Sequence, residues 1–250
     1  MPGGGDVCGP RVVLWQARAA YVGPGLRLSP HRNAVATLVL GLQAPFGLTL
    51  LDRRPTRPER ARVALVPPGA MHHLETSGAM AFVYLDPLSD DHLRVRAADW
   101  ADPALVARAA ASIGAGSCLA APELVRRIGA CIQPAPPEGH RSALAGVIRR
   151  INDEPGCFPS VHDAARAAGF SGSHFQRAFR EATGVPFRRY RLWRRMGAAA
   201  RSIGAGASLT QAALEAGFSS SAHFSSGFRA MFGISPSSLL LGGRVRIDCL

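Results

Sequence analysis

Residues 164–186 read AARAAGFSGSHFQRAFREATGVP, and residues 212–236 read AALEAGFSSSAHFSSGFRAMFGISP; the second stretch rewrites the first. Gly169-Phe170 answers to Gly217-Phe218, His174-Phe175 to His223-Phe224, Phe179-Arg180 to Phe228-Arg229, and Gly184 to Gly233. The offset is 48 residues and slips to 49 after the turn. A solenoid needs at least about three repeats to bury its stacked faces. Two copies therefore predict a paired module.

Each copy contains the signals of two helices and a tight turn. Ser160-Val-His-Asp163 and Ser208-Leu-Thr-Gln211 have capping-box form, in which a hydroxyl accepts the N3 amide and the N3 side chain reaches back. The short Ala-rich helix that follows ends at Gly169 or Gly217, where a left-handed turn suits glycine. Ser171 or Ser220 then caps the next helix. In the first copy Phe175, Ala178, Phe179 and Ala182 form the inward stripe, leaving Ser173, Gln176, Arg177 and Arg180 outside. Gln can bind adenine and Arg guanine through two hydrogen bonds each in a major groove.

The charge supports a polyanionic partner. The formal net charge is +12, and all 29 basic residues are Arg. From His140 onward fifteen Arg face six acids, net +9, whereas the preceding residues carry fourteen Arg against eleven acids, net +3. The basicity thus belongs to the repeat-bearing half.

On these residues the C-terminal half, from about His140 to Leu239, resembles the DNA-binding domain of the AraC/XylS family of transcription regulators. EAGFSSSAHFSSGFRAMFGISP lies close to that family's signature. The resemblance implies two helix-turn-helix units joined by one long helix, here RRYRLWRRMGAAARSI after Pro186-Phe187, with Tyr190, Trp193, Met196, Ala200 and Ile203 inward and Arg188, Arg191, Arg194 and Arg195 outside or flanking. At about 1.5 Å per residue this helix spans roughly 25 Å, enough to hold two recognition helices near major-groove faces about 34 Å apart. Base contacts are then expected from Ser173, Gln176 and Arg177 in the first unit and from Ser221, Ala222, Ser225 and Ser226 in the second. Phosphate contacts are expected from Ser171, His174, Arg180 and Arg188, and from Ser220, His223 and Arg229. Ser226 stands where the family carries Arg, so the first unit is expected to supply most of the specificity. The resemblance also implies RNA polymerase as a partner and activation as the outcome, although repression would use the same DNA contacts.

The N-terminal half reads differently. From Arg11 to Leu85, short apolar runs alternate with Gly/Pro punctuation, which predicts an all-β barrel or sandwich. Pro67-Pro68-Gly69-Ala70-Met71-His72 resembles the second cupin motif, and the fold class expected is α+β: a cupin-like β-barrel and helical connector followed by the all-α double helix-turn-helix domain. The corresponding divisions are 1–99 sensor barrel, 100–139 connector or dimerisation segment with the PAPPEG linker, 140–240 DNA-binding domain and 241–250 tail. His31, His72 and His73 are candidates to line an effector pocket. A metal-binding cupin would also offer a His-x-His pair and a Glu; Arg32 and Asn33 follow His31 instead, so neither a metal nor another cofactor is expected. Asp102-Pro103 and Ala121-Pro122 open two connector helices.

Five cysteines, widely spaced and without a CxxC pair, form neither a disulfide framework nor a zinc knuckle. No signal peptide or membrane span is evident: the longest apolar run, Val35 to Leu51, is broken by Gly41, Gln43, Pro45 and Gly47. The expectation is a cytoplasmic, non-enzymatic, sequence-specific regulator of double-stranded DNA. Its N-terminal domain would sense a small molecule or form a homodimer. The alternatives are a metal-dependent cupin enzyme fused to a DNA-binding module, and a non-specific packaging protein driven by charge.

Overall fold

The computed structural model describes residues 9–15, 18–52, 58–87, 102–114, 144–241 and 245–250, together with Glu123, Arg126, Arg127 and Ala130. The PAPPEG linker, most of the second connector helix, Cys8, Cys118 and Cys131 lie outside the described residues.

The N-terminal half builds two sheets. Strands β1 (Arg11–Trp15), β2 (Arg18–Pro24), β3 (His31–Arg32), β4 (Ala36–Gly41), β5 (Phe46–Leu50), β6 (Glu59–Ala61), β7 (Val63–Val66), β8 (Met71–Glu75) and β9 (Ala79–Leu85) are joined late in the chain by β10 (Arg246–Cys249). One sheet has the order β10-β1-β2-β9-β4-β7 and the other β3-β8-β5-β6. Side-chain alternation gives the six-stranded sheet two buried faces. Val13, Ala20, Val22, Leu38, Leu40, Ala81 and Val83 occupy one, packed with Ala109 of helix α1 (Pro103–Gly114). Tyr21, Val39, Val66, Met80 and Phe82 occupy the other, facing Phe46, Leu48 and Leu74 of the smaller sheet. Burial on both sides explains why β4 and β9 read as nearly continuous apolar runs. Asp102 caps α1 by accepting the amide of Ala104 at 2.8 Å.

The expected barrel is therefore corrected to two stacked open sheets. Among the described residues no strand pairs across from one sheet to the other. Closure requires the terminal strands to meet. Here β3, with two residues, is too short to bridge, and the outer edge of β1 is taken by β10 in parallel register, Arg11 opposite Arg246 and Leu14 opposite Cys249. Residues 246–249, expected within a tail, are thus an edge strand of the N-terminal sheet. Arg11 donates to Asp248 Oδ2 through Nε at 3.1 Å and Nη2 at 2.6 Å, fastening the pairing.

The C-terminal half is helical: α2 (Leu144–Asp153), α3 (Val161–Ala167), α4 (Gly172–Thr183), α5 (Phe187–Gly204), α6 (Leu209–Glu215), α7 (Ser221–Phe232) and α8 (Pro236–Leu241). Leu144, Val147, Ile148 and Ile151 of α2 join Phe175, Phe179, Phe187 and Tyr190 in the core of the first unit. Trp193, Met196, Ala212, Ala213, Phe218 and Phe224 form the second core, which also takes in Ala34 and Val35 between β3 and β4. The connecting helix α5 carries side chains into both.

Candidate DNA interface

The repeat forms two capped helix-turn-helix units. Ser160 and Asp163 complete a reciprocal capping box, with Asp163 N donating to Ser160 Oγ at 3.2 Å and Ser160 N to Asp163 Oδ2 at 3.1 Å. At the equivalent place Gln211 N donates to Ser208 Oγ at 3.2 Å, but the Gln211 side-chain amide donates to Glu215 Oε1 at 2.8 Å. Gly169 (φ 69°) and Gly217 (φ 80°) make the left-handed turns after α3 and α6. The second helices, α4 and α7, both end on left-handed glycines, Gly184 and Gly233.

Ser171 and Ser220 are the N-caps of these second helices, accepting the amides of His174 at 3.4 Å and His223 at 3.1 Å. Accepting this bond leaves the hydroxyl proton free to donate outward to a phosphate. His174 stacks on Phe170 with ring centroids 4.3 Å apart, whereas His223 pairs with Ser219 Oγ through Nδ1 at 3.0 Å. Both imidazoles are exposed beside the turn.

On α4 the exposed face carries Ser173, Gln176, Arg177 and Arg180, with Phe175 and Phe179 fully buried beneath. On α7, Ala222, Ser226 and Arg229 are exposed and Ser221 and Ser225 half-buried. The first helix thus presents long donors and the second short hydroxyls. Arg188 is exposed at the start of α5.

Three arginines of α5 serve the fold instead. Arg194 is buried and donates to the Asn152 carbonyl at 3.0 Å, correcting the expectation that it lies outside or flanks the helix stripe. Arg195 lies 4.1 Å over the Phe218 ring and donates to the Ala216 carbonyl at 2.8 Å. Arg191 donates to the Pro159 carbonyl at 3.0 Å. Long cationic side chains whose stems pack while their heads bond carbonyls are indistinguishable in sequence from DNA-facing ones.

The three expected pocket histidines separate into two and one. His31 and His72 are register partners on β3 and β8, both buried, with ring centroids 4.2 Å apart. The Nδ1 atoms lie 2.8 Å from the Ser29 carbonyl and 3.0 Å from the Ala70 carbonyl, so each ring is placed to donate from that nitrogen. His73, one residue on, is on the opposite face of β8 and only half-buried. Among the described residues no group of three or more His, Cys, Asp or Glu is placed to hold a metal ion.

Sequence reasoning missed a cavity of about 110 Å³ between the N-terminal sheet and the helices. Val12, Leu14 and Tyr84 wall one side and Trp193, Met196 and Phe232 the other; Arg18, Arg194 and Arg201 also reach it. Val245 and Ile247, in and beside the late strand, complete its lining. No local pattern signals such a cavity, because its walls come from distant segments.

Residues 164–241 match a family model described as a helix-turn-helix domain. No curated protein sequence matches the chain. Among solved structures, ToxT from Vibrio cholerae O395 is 10% identical, covers 90% of this chain and 97% of its own, and superposes with a TM-score of 0.60. A structure described as unsaturated fatty acid bound wild-type ToxT, from Vibrio cholerae strain SCE256, is 12% identical over 90% of this chain and 95% of its own, with a TM-score of 0.56. At such identities the likeness establishes a shared fold. No helix among the described residues is long and apolar enough to cross a membrane.

Proposed function

We propose that this chain, with its helix-turn-helix domain over residues 164–241, is a transcription regulator of the AraC/XylS type that reads two neighbouring major-groove faces with α4 and α7. The observation carrying this reading is the duplicated capped helix whose first copy exposes Gln176 and Arg177 above a buried phenylalanine core. The double helix-turn-helix is a binding module and performs no bond chemistry; the separation of His73 from His31 and His72, with no third ligand beside that pair among the described residues, disfavours the metal-dependent alternative. Activation through RNA polymerase is the mode the family resemblance suggests.

Selection of duplexes from a random-sequence pool, followed by footprinting upstream of the chain's own gene, tests this. A bipartite protected site is expected. Recovery of no preferred sequence, with binding that depends only on salt, would leave charge-driven packaging as the better reading.

The effector, on this proposal, occupies the cavity between the halves, and it is an apolar molecule with an acid group. Support comes from the aliphatic and aromatic walls and from the three arginines that reach them. A fatty acid, which one ToxT structure holds, has that chemistry. Such a ligand controls DNA binding if its affinity differs between arrangements of the two halves. Titration with a monounsaturated fatty acid should shift the melting temperature of the wild type and leave unmoved Ala200→Phe, which fills the cavity from its α5 wall; equal shifts would place the ligand elsewhere.

A further inference from the structure

Both recognition helices end against the same edge of the smaller sheet. At the C-terminus of α7, the Gly233 carbonyl accepts the amide of Ser29 at 2.8 Å, just before β3. The approach is so close that a Cβ at Gly233 would lie 2.5 Å from the Ser29 carbonyl oxygen and 2.6 Å from His31 Nδ1. At the C-terminus of α4, Gly184 faces Pro68 and Val185 faces Gly69, both in the β7–β8 turn, and a Cβ at Gly184 would meet Pro68 at 3.5 Å, ordinary van der Waals contact. Arg189, two residues into α5, donates to the Arg32 carbonyl at 3.2 Å.

These two contact points are tied to each other. β3 pairs with β8 through His31–His72 and Arg32–Met71. Arg32 donates from Nη1 to the Gly69 carbonyl at 2.8 Å and grips Asp52 with both terminal nitrogens at 2.6 Å, while Asp52 accepts the Met71 amide at 2.7 Å. Gly69 in turn donates to the Asn33 carbonyl at 2.8 Å. The helix α5 joins the two units on one side, and this stitched edge joins them again on the other.

We propose that the β3–β8 edge is a positioning element for DNA reading: a two-point clasp, centred on Ser29–Gly233 and Arg189–Arg32, that fixes the spacing and rotation of α7 relative to α4. This rests on the DNA-binding reading above. One helix as sole connector leaves bending and rolling of the units free; a second anchorage removes that freedom, and the ordering cost is met on folding rather than on binding. The clasp residues act through the helices and touch no base.

The test compares two glycines. Gly184→Ala and Gly233→Ala impose the same left-handed strain (φ 76° and 73°), but only the second drives a methyl group into the clasp. Each full-length variant is titrated against the duplex that the wild type selects, and against versions with one base pair inserted or removed between the half-sites, which moves the second site by about 3.4 Å and a tenth of a turn. Wild type and Gly184→Ala should lose on the order of tenfold or more on the altered spacings. Gly233→Ala should bind native and altered spacings within about threefold of one another. Arg189→Ala, which removes a side chain without adding strain, should flatten the same discrimination and keeps the test open if Gly233→Ala fails to fold. Sharp spacing preference in folded Gly233→Ala or in Arg189→Ala overturns the clasp. Absence of any selected duplex for the wild type would instead overturn the DNA-binding reading itself.

Discussion

Tyr190 donates its hydroxyl to Asp86 Oδ2 at 2.7 Å, a buried bond that joins the middle of the helical domain to the residue just after strand β9. Burial holds the tyrosine hydroxyl far above its ordinary pKa, so it remains a donor. Asn152 Oδ1 lies 3.2 Å from the same oxygen, which draws α2 into the junction. Removing the hydroxyl should cost about 1.5–3 kcal/mol, the range for a hydrogen bond to a charged group. Urea unfolding of Tyr190→Phe checks this, and an unchanged midpoint would show that the junction does not depend on the bond.

The two recognition helices should contribute unequally. Arg177→Ala is expected to weaken operator binding by about 1–3 kcal/mol and relax the sequence preference at one base pair. Ser226→Ala, which removes a short hydroxyl, should cost less. Binding titrations on the selected duplex with single base-pair changes would reverse this ranking if the two losses were equal.

Acid should loosen the β3–β8 edge before it reaches most carboxylates. Burial, then the neighbouring His72 and His73, hold His31 down at about 4, and burial also lowers His72. An unfolded histidine titrates near 6.5. Between those values the unfolded chain binds the extra proton, so the stability contribution is complete above roughly pH 6.5 and is lost as pH falls toward about 4, on the order of 3 kcal/mol. Urea midpoints at pH 7.5 and 4.5 should differ less in His31→Gln than in wild type. An identical difference would assign the acid sensitivity to other groups.

The ion pair at the late strand should behave as a buried one. Arg11 and Asp248 side chains are 6% and 12% exposed, and Asp248 also accepts Arg246 Nε at 2.8 Å, so deleting Arg11 leaves the carboxylate with one exposed cation in place of its buried partner. Arg11→Ala should destabilise by about 1–3 kcal/mol, whereas the double change Arg11→Leu, Asp248→Leu should recover much of that loss. Denaturant unfolding of both variants measures the difference; equal losses would mean that packing, rather than the carboxylate's lost buried partner, sets the cost.

What the sequence made legible was local. Ser171, Ser220, Gly169, Gly217, Gly184 and Gly233 each encode a cap or turn within a few residues, and all of them occupy those positions. The exposed and buried faces of α4 followed from its period. Strand runs were legible too, but which edges meet was not: alternation says which face a residue takes and nothing about the partner strand. That is why a closed barrel was expected where two open sheets stand. Arg194 shows the same limit in a helix, since its partner carbonyl at Asn152 lies far away in sequence. The cavity and the clasp are assembled wholly from such distant pairs.

The strand β10 also sets an order of events. Its partner β1 is the first described element to leave the ribosome, and Arg11 and Asp248 are separated by 237 positions. The open edge of β1 therefore stays bare while the rest of the described chain is synthesised, exposing unpaired amides and carbonyls that could template pairing with a second nascent chain. Closing so long a loop is slow relative to local helix formation. Helices α4 and α7 can thus form early, while the sheet beside them is completed last, by a segment that lies beyond both of them.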